Sequence, residues 1–351
     1  MIQISLRDLQ WRRRRYVIVV LVASLAFGLA LLMSGVSNRL SQEGDDMLEL
    51  FGADRWIVPE SVDGPFSTTQ LLPAGVATDF AARDGVTGAS PILIGRTMVE
   101  GIPANVIGYD ATSPLLPAKL AEARAAMSDP DAPIVDELFE QGLGEQFELN
   151  GHDLTVAAEV EGTSFYYSMP TVFLPIADVQ DYLFAGQDVA TAIVVRGELD
   201  AATGASTEFD VLTDADARAD YERVLSSTGQ TLNIINTLLW LMATGVVAAI
   251  VYVSVLERSR DFATLKAVGV SNRALVGGLL TQSAALSLAS AVCAVGVAKA
   301  LSPSFGFPVT MPTGAYVQLL VVALAVGVLA SLVGVRKITR IDPALAFGGA
   351  A

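Results

Sequence analysis

Four apolar runs constrain this chain more than anything else in it. Residues 16–37, 231–256, 274–301 and 315–335 are dominated by Val, Leu, Ala and Gly. A helix needs roughly 20 such residues to cross a hydrocarbon core about 30 Å thick, so each run is predicted as a transmembrane helix. Composition agrees: 52% of the 351 residues are hydrophobic and 17% charged, with a mean hydropathy of +0.51, where a soluble domain carries about 25% charged residues. The third run holds Lys299 near one end, where its long stem can carry the charge to the interface. The first run follows Arg12–Arg15 like the core of a secretory signal. It exceeds the 7–15 apolar residues of such a core, and no small-x-small cleavage site follows it. It is predicted to stay as an uncleaved anchor.

Basic residues set the orientation. Arg7 and Arg12–Arg15 precede the first span, Arg258, Arg260, Lys266 and Arg273 separate the second from the third, and Arg336, Lys337 and Arg340 follow the fourth. With four spans all three groups share one side, which the positive-inside rule makes cytoplasmic. The expected layout is a basic cytoplasmic N-terminus (1–15), an extracytoplasmic domain (38–230), a cytoplasmic connection (257–273), an outer loop (302–314) and a cytoplasmic tail (336–351), in a plasma membrane. The outer segment carries 9 Lys and Arg against 33 Asp and Glu, a net of −24 in a chain of net −15. That acidity keeps a domain soluble and argues against nucleic acid as a partner.

The outer segment has its own grammar. RWIVPE, SPILIG, NVIGYD, LTVAAEV, PTVFLPI and TAIVVRG read as strands, and Asn150-Gly151 as the turn of a hairpin. Helical pieces are expected near residues 117–127, 136–141 and 177–184, which makes an α+β domain. Helices over 36–51 and 215–233 are expected to carry it. On the first of them Val36, Leu40, Met47, Leu50 and Phe51 form an apolar stripe into which Glu43 falls. A carboxylate there is costly unless paired, hydrogen-bonded or at the water edge. Two readings stay open, a solvated rim residue and a polar feature of a ligand or dimer surface. Gln230, Asn233, Asn236 and Thr237 give the start of the second span a polar side, which can face a dimer centre.

Several chemistries are absent from the sequence. There is no G-x-x-x-x-G-K loop to cradle nucleotide phosphates, and one histidine, His152, provides neither a zinc cluster nor a Ser-His-Asp triad. His152 reads as a turn residue. A single cysteine, Cys293, allows no disulfide within the chain and reads as a small apolar residue. The spans hold no carboxylate or histidine relay of the kind a proton pump needs. A chain without a motor is expected to be a permease, a receptor or a scaffold driven by another protein, and not itself an enzyme.

The connection ERSRDFATLKAVGVS, residues 257–271, carries far more charge than a turn between spans requires. Phe262, Leu265 and Val268 make one side of a short amphipathic helix apolar. Glu257, Arg258, Asp261 and Lys266 can set register against a partner by charge complementarity. The run Glu257, Asp261, Phe262, Ala263, Leu265, Lys266, Ala267, Val268 and Gly269 resembles the cytoplasmic loop of the MacB/FtsX superfamily of ABC-transporter permeases. KITRIDPALAF, residues 337–347, resembles that superfamily's closing motif, and the layout of one span, a large outer domain and three spans is similar too. The resemblance implies a homodimer in the lipid bilayer with each copy engaging one separate ATPase, where ATP and magnesium bind. Contact would run through Glu257, Arg258, Asp261, Phe262, Leu265, Lys266, Ala267 and Gly269.

A narrower resemblance is to the haem-efflux permeases of Gram-positive bacteria. It rests on chain length, PVTMP at 308–312, the GGA at 348–350, and Ser34-Gly35, Leu40, Glu43, Glu49 and Phe51 after the first span. It implies export of haem from the membrane outward by mechanotransmission, with haem as substrate and no covalent cofactor. Glu43, Phe51 and Tyr166 match positions of that group. Met33 and Met47 lie on the first helix with Glu43 and Phe51, Tyr221 precedes the second span, and these three are further candidate contacts for haem, whose iron takes His, Met, Cys or Tyr ligands. An iron ligand, if any, is expected among Glu43, Met33, Met47 and Tyr166. Other cargoes fit the same machine (a lipid, lipoprotein, peptide or drug), as does a mechanotransmitter that controls a cell-wall hydrolase and exports nothing. A receptor fits less well, for want of a cytoplasmic domain.

Overall fold

A computed structural model describes residues 13–129, 131–199, 208–257 and 264–339. They divide into two compact units, Arg39–Gly229 and the remainder. Two long helices contribute to both: α1 (Arg13–Phe51, 39 residues) and α5 (Asp214–Glu257, 44 residues). Neither is interrupted, and the three smaller helices α2 (Val76–Ala81), α3 (Ala118–Ala126) and α4 (Ile176–Phe184) lie between them in sequence, together with the strands.

In the unit Arg39–Gly229 an eight-stranded sheet runs in the order β12-β1-β11-β3-β4-β9-β5-β8. The strands are β1 (Arg55–Pro59), β3 (Val86–Val99), β4 (Ile102–Tyr109), β5 (Ile134–Asp136), β8 (Ala158–Val160), β9 (Thr171–Pro175), β11 (Ala192–Gly197) and β12 (Phe209–Thr213). Neighbours are antiparallel except β4 with β9 and β5 with β8. Period-two alternation sends successive side chains to opposite faces, and here both faces are buried. Trp56, Val58, Ile107, Phe173 and Val194 pack with Met47, Leu48 and Phe51 of α1 and with Ala217, Tyr221 and Leu225 of α5. On the other face Val106, Val172 and Leu174 cluster with Val179 of α4, and Ile57, Ile193 and Val195 with Phe80 of α2. This explains why the strands read as short, nearly continuous apolar runs.

The Asn150-Gly151 turn joins β6 (Gln146–Leu149) to β7 (His152–Thr155) as the sequence predicts, both turn residues having positive φ. Two expectations are corrected. LTVAAEV is not one strand: β7 ends at Thr155 and β8 pairs elsewhere, parallel to β5. Nor is there a helix over 136–141. The Asp136 carboxylate accepts from the N–H of Leu138 at 3.0 Å, closing a local turn that competes with helix formation, and Ile134 and Val135 are drawn into pairing with β9.

The other unit is helical, built from residues 13–38 of α1, residues 230–257 of α5, α6 (Asn272–Leu301) and α7 (Thr313–Thr339). Its core is Phe27, Leu31, Trp240, Val247, Leu319 and Val326 interleaved with Ala23, Ala30, Ala243, Ala291, Ala294, Ala298 and Ala323. Small residues allow close approach between helices: a Cβ on Gly28 would lie 2.8 Å from Val297, and one on Gly327 2.8 Å from Ser287 Oγ. Pro308–Pro312 passes over α1 at Gly35, where an added Cβ would meet Val309 at 2.7 Å. The helices Tyr16–Phe51, Asp214–Ala249 and Asn272–Ser304 are long and apolar enough to cross a membrane, and Thr313–Leu329 within α7 is a further apolar segment.

Candidate functional site

Within the sheet unit the structure brings five of the predicted residues into one place. Met47, Phe51, Tyr166 and Tyr221 share a buried cluster, Phe51 edge-on to Trp56 at 6.1 Å and Tyr166 5.2 Å from Tyr221. Glu43 is the fifth, and it is 0% exposed. The solvated-rim reading of Glu43 is therefore overturned. Met33 belongs to the helical unit, where it is half-buried.

Glu43 is buried because donors converge on it. It accepts from the backbone N–H of Tyr167 at 3.0 Å, the hydroxyl of Ser168 at 2.6 Å and the phenol of Tyr221 at 3.4 Å. It lies beyond the apolar stretch of residues 16–37. Burial raises its pKa above the ordinary 4.5, opposed by the Ser168 hydrogen bond, the charge of Arg39 one turn earlier, and the N–H groups of Tyr167 and Ser168.

The donors come from an unusual turn. Phe165 and Met169 pair across it, each N–H bonded to the other's carbonyl at 3.2 and 3.0 Å. Tyr166, Tyr167 and Ser168 between them have φ of 53°, 72° and 55°. Successive left-handed residues cost on the order of 1–2 kcal/mol each for side chains with a Cβ, and no glycine relieves the cost here. The geometry persists because it is held from outside. The Tyr166 N–H donates to the Tyr221 phenol at 2.9 Å, and the Tyr167 phenol donates to the Val224 carbonyl at 3.0 Å. The Tyr166 phenol reaches the Phe66 carbonyl at 3.2 Å, and the Arg96 guanidinium lies 4.2 Å from its ring. Burial pushes that phenol well above its ordinary pKa, so it stays neutral.

Flanking groups complete the frame, and the sequence reading missed all of them. Asn105 donates to the Phe165 carbonyl at 3.0 Å. Arg39 donates to Ser164 at 2.8 Å and pairs with Asp46 at 3.4 Å. Buried Asp136 accepts from the N–H and hydroxyl of Thr163 at 3.0 and 2.9 Å. Asp220, beside Tyr221, accepts from the N–H groups of Phe66 and Ser67 at 2.8 and 3.1 Å and from the Ser67 hydroxyl. The available signal was the polar dress of the aromatic run: Thr163, Ser164 and Ser168 around Phe165–Tyr167.

In the predicted ATPase-coupling segment, Glu257 ends α5 and is exposed, while Arg258, Asp261 and Phe262 lie outside the described residues. Residues 264–267 form a helical turn ending in Gly269 at φ +92°. The N–H of Val270 bonds the Leu265 carbonyl and that of Gly269 the Lys266 carbonyl, both at 3.0 Å. This is a Schellman ending, which requires the left-handed residue that glycine supplies. Ser271 then caps α6 by accepting from the N–H of Ala274. Leu265 and Lys266 are half-buried, Ala267 is exposed, and Val268 is 80% exposed.

The FtsX-like permease C-terminal family matches residues 233–343. An uncharacterised ABC transporter permease of Mycobacterium tuberculosis is 33% identical over 349 residues, covering 98% of this chain and 99% of the relative. A permease of Mycobacterium bovis is 31% identical over the same shares. The putative hemin transport system permease protein HrtB of Staphylococcus haemolyticus is 22% identical over 363 residues, 98% of each chain. Among solved structures, the periplasmic region of MacB from Actinobacillus actinomycetemcomitans aligns with a TM-score of 0.34 at 12% identity, over 50% of this chain and 95% of that one. The extracellular domain of the transporter YknZ aligns at 0.31 and 10%, over 46% and 99%.

Proposed function

Because this chain belongs to the ABC transporter permeases with an FtsX-like C-terminal region, we propose that it exports haem, or a similar hydrophobic molecule, from the membrane outward. A separate ABC ATPase supplies the force and two copies of the permease work together, with their termini and the 257–273 connection cytoplasmic and the sheet unit outside. The observation that carries this reading is the continuity of α1 and α5, unbroken helices of 39 and 44 residues that each contribute residues to both units. A continuous helix can pass on displacement without a channel through the bilayer.

The ATPase end of this device is the connection itself. Phe262, Leu265 and Val268 would seat in a groove on the ATPase, with Glu257, Arg258, Asp261 and Lys266 fixing register. The exposure of Val268 and the glycine-terminated turn behind it support that role. The haem end would be Glu43, Met47, Phe51, Tyr166 and Tyr221, with Met33 on the same helix as Glu43. Their clustering and the similarity to a hemin transport permease support it.

The test is ATP hydrolysis by the purified permease–ATPase complex in lipid with and without haem. Stimulation by haem, with a growth defect under haem stress on deletion, is expected. Neither effect would remove haem; stimulation by a lipid, peptide or drug would keep the machine and replace the cargo. Gly269→Pro is expected to lower export at least tenfold while the permease still inserts, and unchanged export would refute the coupling role.

A further inference from the structure

The haem-end residues pose a difficulty that the geometry itself resolves. Glu43 has three donors on its carboxylate, and Tyr166 has both its N–H and its phenol engaged. Both side chains are fully buried. In this arrangement neither has a free face for a ligand.

What closes them is the left-handed turn, and its attachments are sorted. Its base is fastened to the sheet: the Phe165 carbonyl to Asn105 of β4, and Thr163 to Asp136 of β5. Its apex is fastened chiefly to the long helices, with the Tyr166 phenol also on the Phe66 carbonyl and its ring under Arg96 of β3. Tyr167 N–H and Ser168 hydroxyl bind Glu43 of α1, Tyr166 N–H binds Tyr221 of α5, and the Tyr167 phenol binds the Val224 carbonyl of α5. Ser164 adds a bond to Arg39 of α1. A segment in a conformation that its own side chains disfavour, kept there by bonds to two helices, is suited to serve as a two-state element. Shift either helix by the length of a hydrogen bond and the turn loses what holds it.

We propose that residues 165–169 form a latch, held shut by Glu43 of α1 and Tyr221 of α5, that opens when the ATPase moves these helices and thereby frees Glu43 and Tyr166 for cargo. Glu43 and Tyr221 are then positioning residues as well as contacts. The latch rests on the permease reading above and specifies how its cargo site is regulated. It also accounts for two tyrosines and a serine standing where glycine or asparagine would relax the turn: a relaxed turn would stay shut regardless of the helices.

Hydrogen exchange in the assembled permease–ATPase complex tests it on the native chain. The amides of Tyr166 and Tyr167 are bonded to Tyr221 and Glu43 themselves, so their exchange reads the latch directly. The complex is compared nucleotide-free, with ATP in a hydrolysis-deficient ATPase, and trapped with vanadate. A peptide covering residues 163–169 is expected to exchange at least tenfold faster in one of these states than in another, while β3 and β4 exchange alike in all three. Equal rates at 163–169 in a complex that assembles and hydrolyses ATP would overturn the latch and leave the permease reading standing. A chain that binds no ABC ATPase would overturn both. A change spread evenly over the whole sheet would also overturn the latch, since it would mean that the unit opens as one piece. Tyr221→Phe supplies the second arm, because the ring keeps its edge contact with Phe66 at 5.5 Å while the acceptor for Tyr166 is lost. It should raise nucleotide-free exchange at 163–169 at least tenfold; exchange unchanged in a folded variant would show that α5 does not hold the turn.

Discussion

In the sheet unit Glu43, Asp136 and Asp220 are each buried with at least three donor groups around the carboxylate; in the helical unit many of the buried positions of α6 are Ser and Ala. The difference follows from what each unit must hold. A sheet covered on both faces leaves irregular connections whose N–H groups need acceptors, and a carboxylate can satisfy several at once. A transmembrane helix satisfies its backbone internally, so association there is governed by how closely backbones approach. The sheet unit is thus keyed by a few strong bonds, the helical unit by many small fits.

The largest break in that contrast is expected from Glu43→Ala. It strands the three donors of Tyr167, Ser168 and Tyr221 and unfastens a strained turn, at about 1–3 kcal/mol for each buried group left unsatisfied. A loss of roughly 3 kcal/mol or more is expected, measured as the fraction of full-length permease still monodisperse after graded heating. Glu43→Gln keeps an acceptor oxygen and should lose less than half as much. Equal damage from the two would mean that charge, and not hydrogen bonding, holds the turn.

In the helical unit the matching break is steric. Gly28→Val places atoms where Val297 already stands at 2.8 Å from the first added carbon. Overpacking of this kind costs about 1–3 kcal/mol, and the same heating assay should register about 2 kcal/mol. Removing a bond in this unit should matter less than adding an atom. The Asn236 amide donates to Ser34 at 3.2 Å, joining α5 to α1. Such bonds between membrane helices average about 0.6 kcal/mol, and Asn236→Ala should cost about that. A loss as large as that of Glu43→Ala would erase the proposed distinction between the units.

How much of this was legible in sequence follows the same line. The long helices and the Asn150-Gly151 hairpin rest on local rules, apolar periodicity and residues that tolerate positive φ. Sequence names the residues of the proposed haem end on separate segments, and neither the meeting of five of them in one place nor the burial of Glu43 follows from it. Its partners Tyr167, Ser168 and Tyr221 stand 124, 125 and 178 residues away. A periodic stripe shows that a carboxylate needs a partner and is silent on which. Three left-handed residues without a glycine are equally invisible, because the cause lies in α1 and α5 and not in the turn. The false helix at 136–141 failed for a local reason, since a single Asp side chain outbid a short apolar pattern.

The smallest effect concerns protons, because the substitution keeps the size of the side chain and its packing. Burial raises the pKa of Asp136 above its ordinary 3.8, opposed by the hydrogen bonds from Leu138 and Thr163. A carboxyl group whose folded pKa lies above its unfolded one binds protons more tightly in the folded state. Its contribution to stability is full below about pH 3.8 and is lost as pH rises through the raised folded value. Asp136→Asn should remove that dependence. Above this window the wild type carries the cost of a buried charge and the variant does not, although the variant gives up a charge-assisted bond to Thr163. Heating curves of both proteins from pH 4 upward should therefore differ in slope within the window and run parallel above it. No comparable slope is expected from the helical unit, whose described core holds no carboxylate. Parallel curves throughout would mean that the donors on Asp136 offset its burial completely, and the contrast between the units would then rest on hydrogen bonding alone.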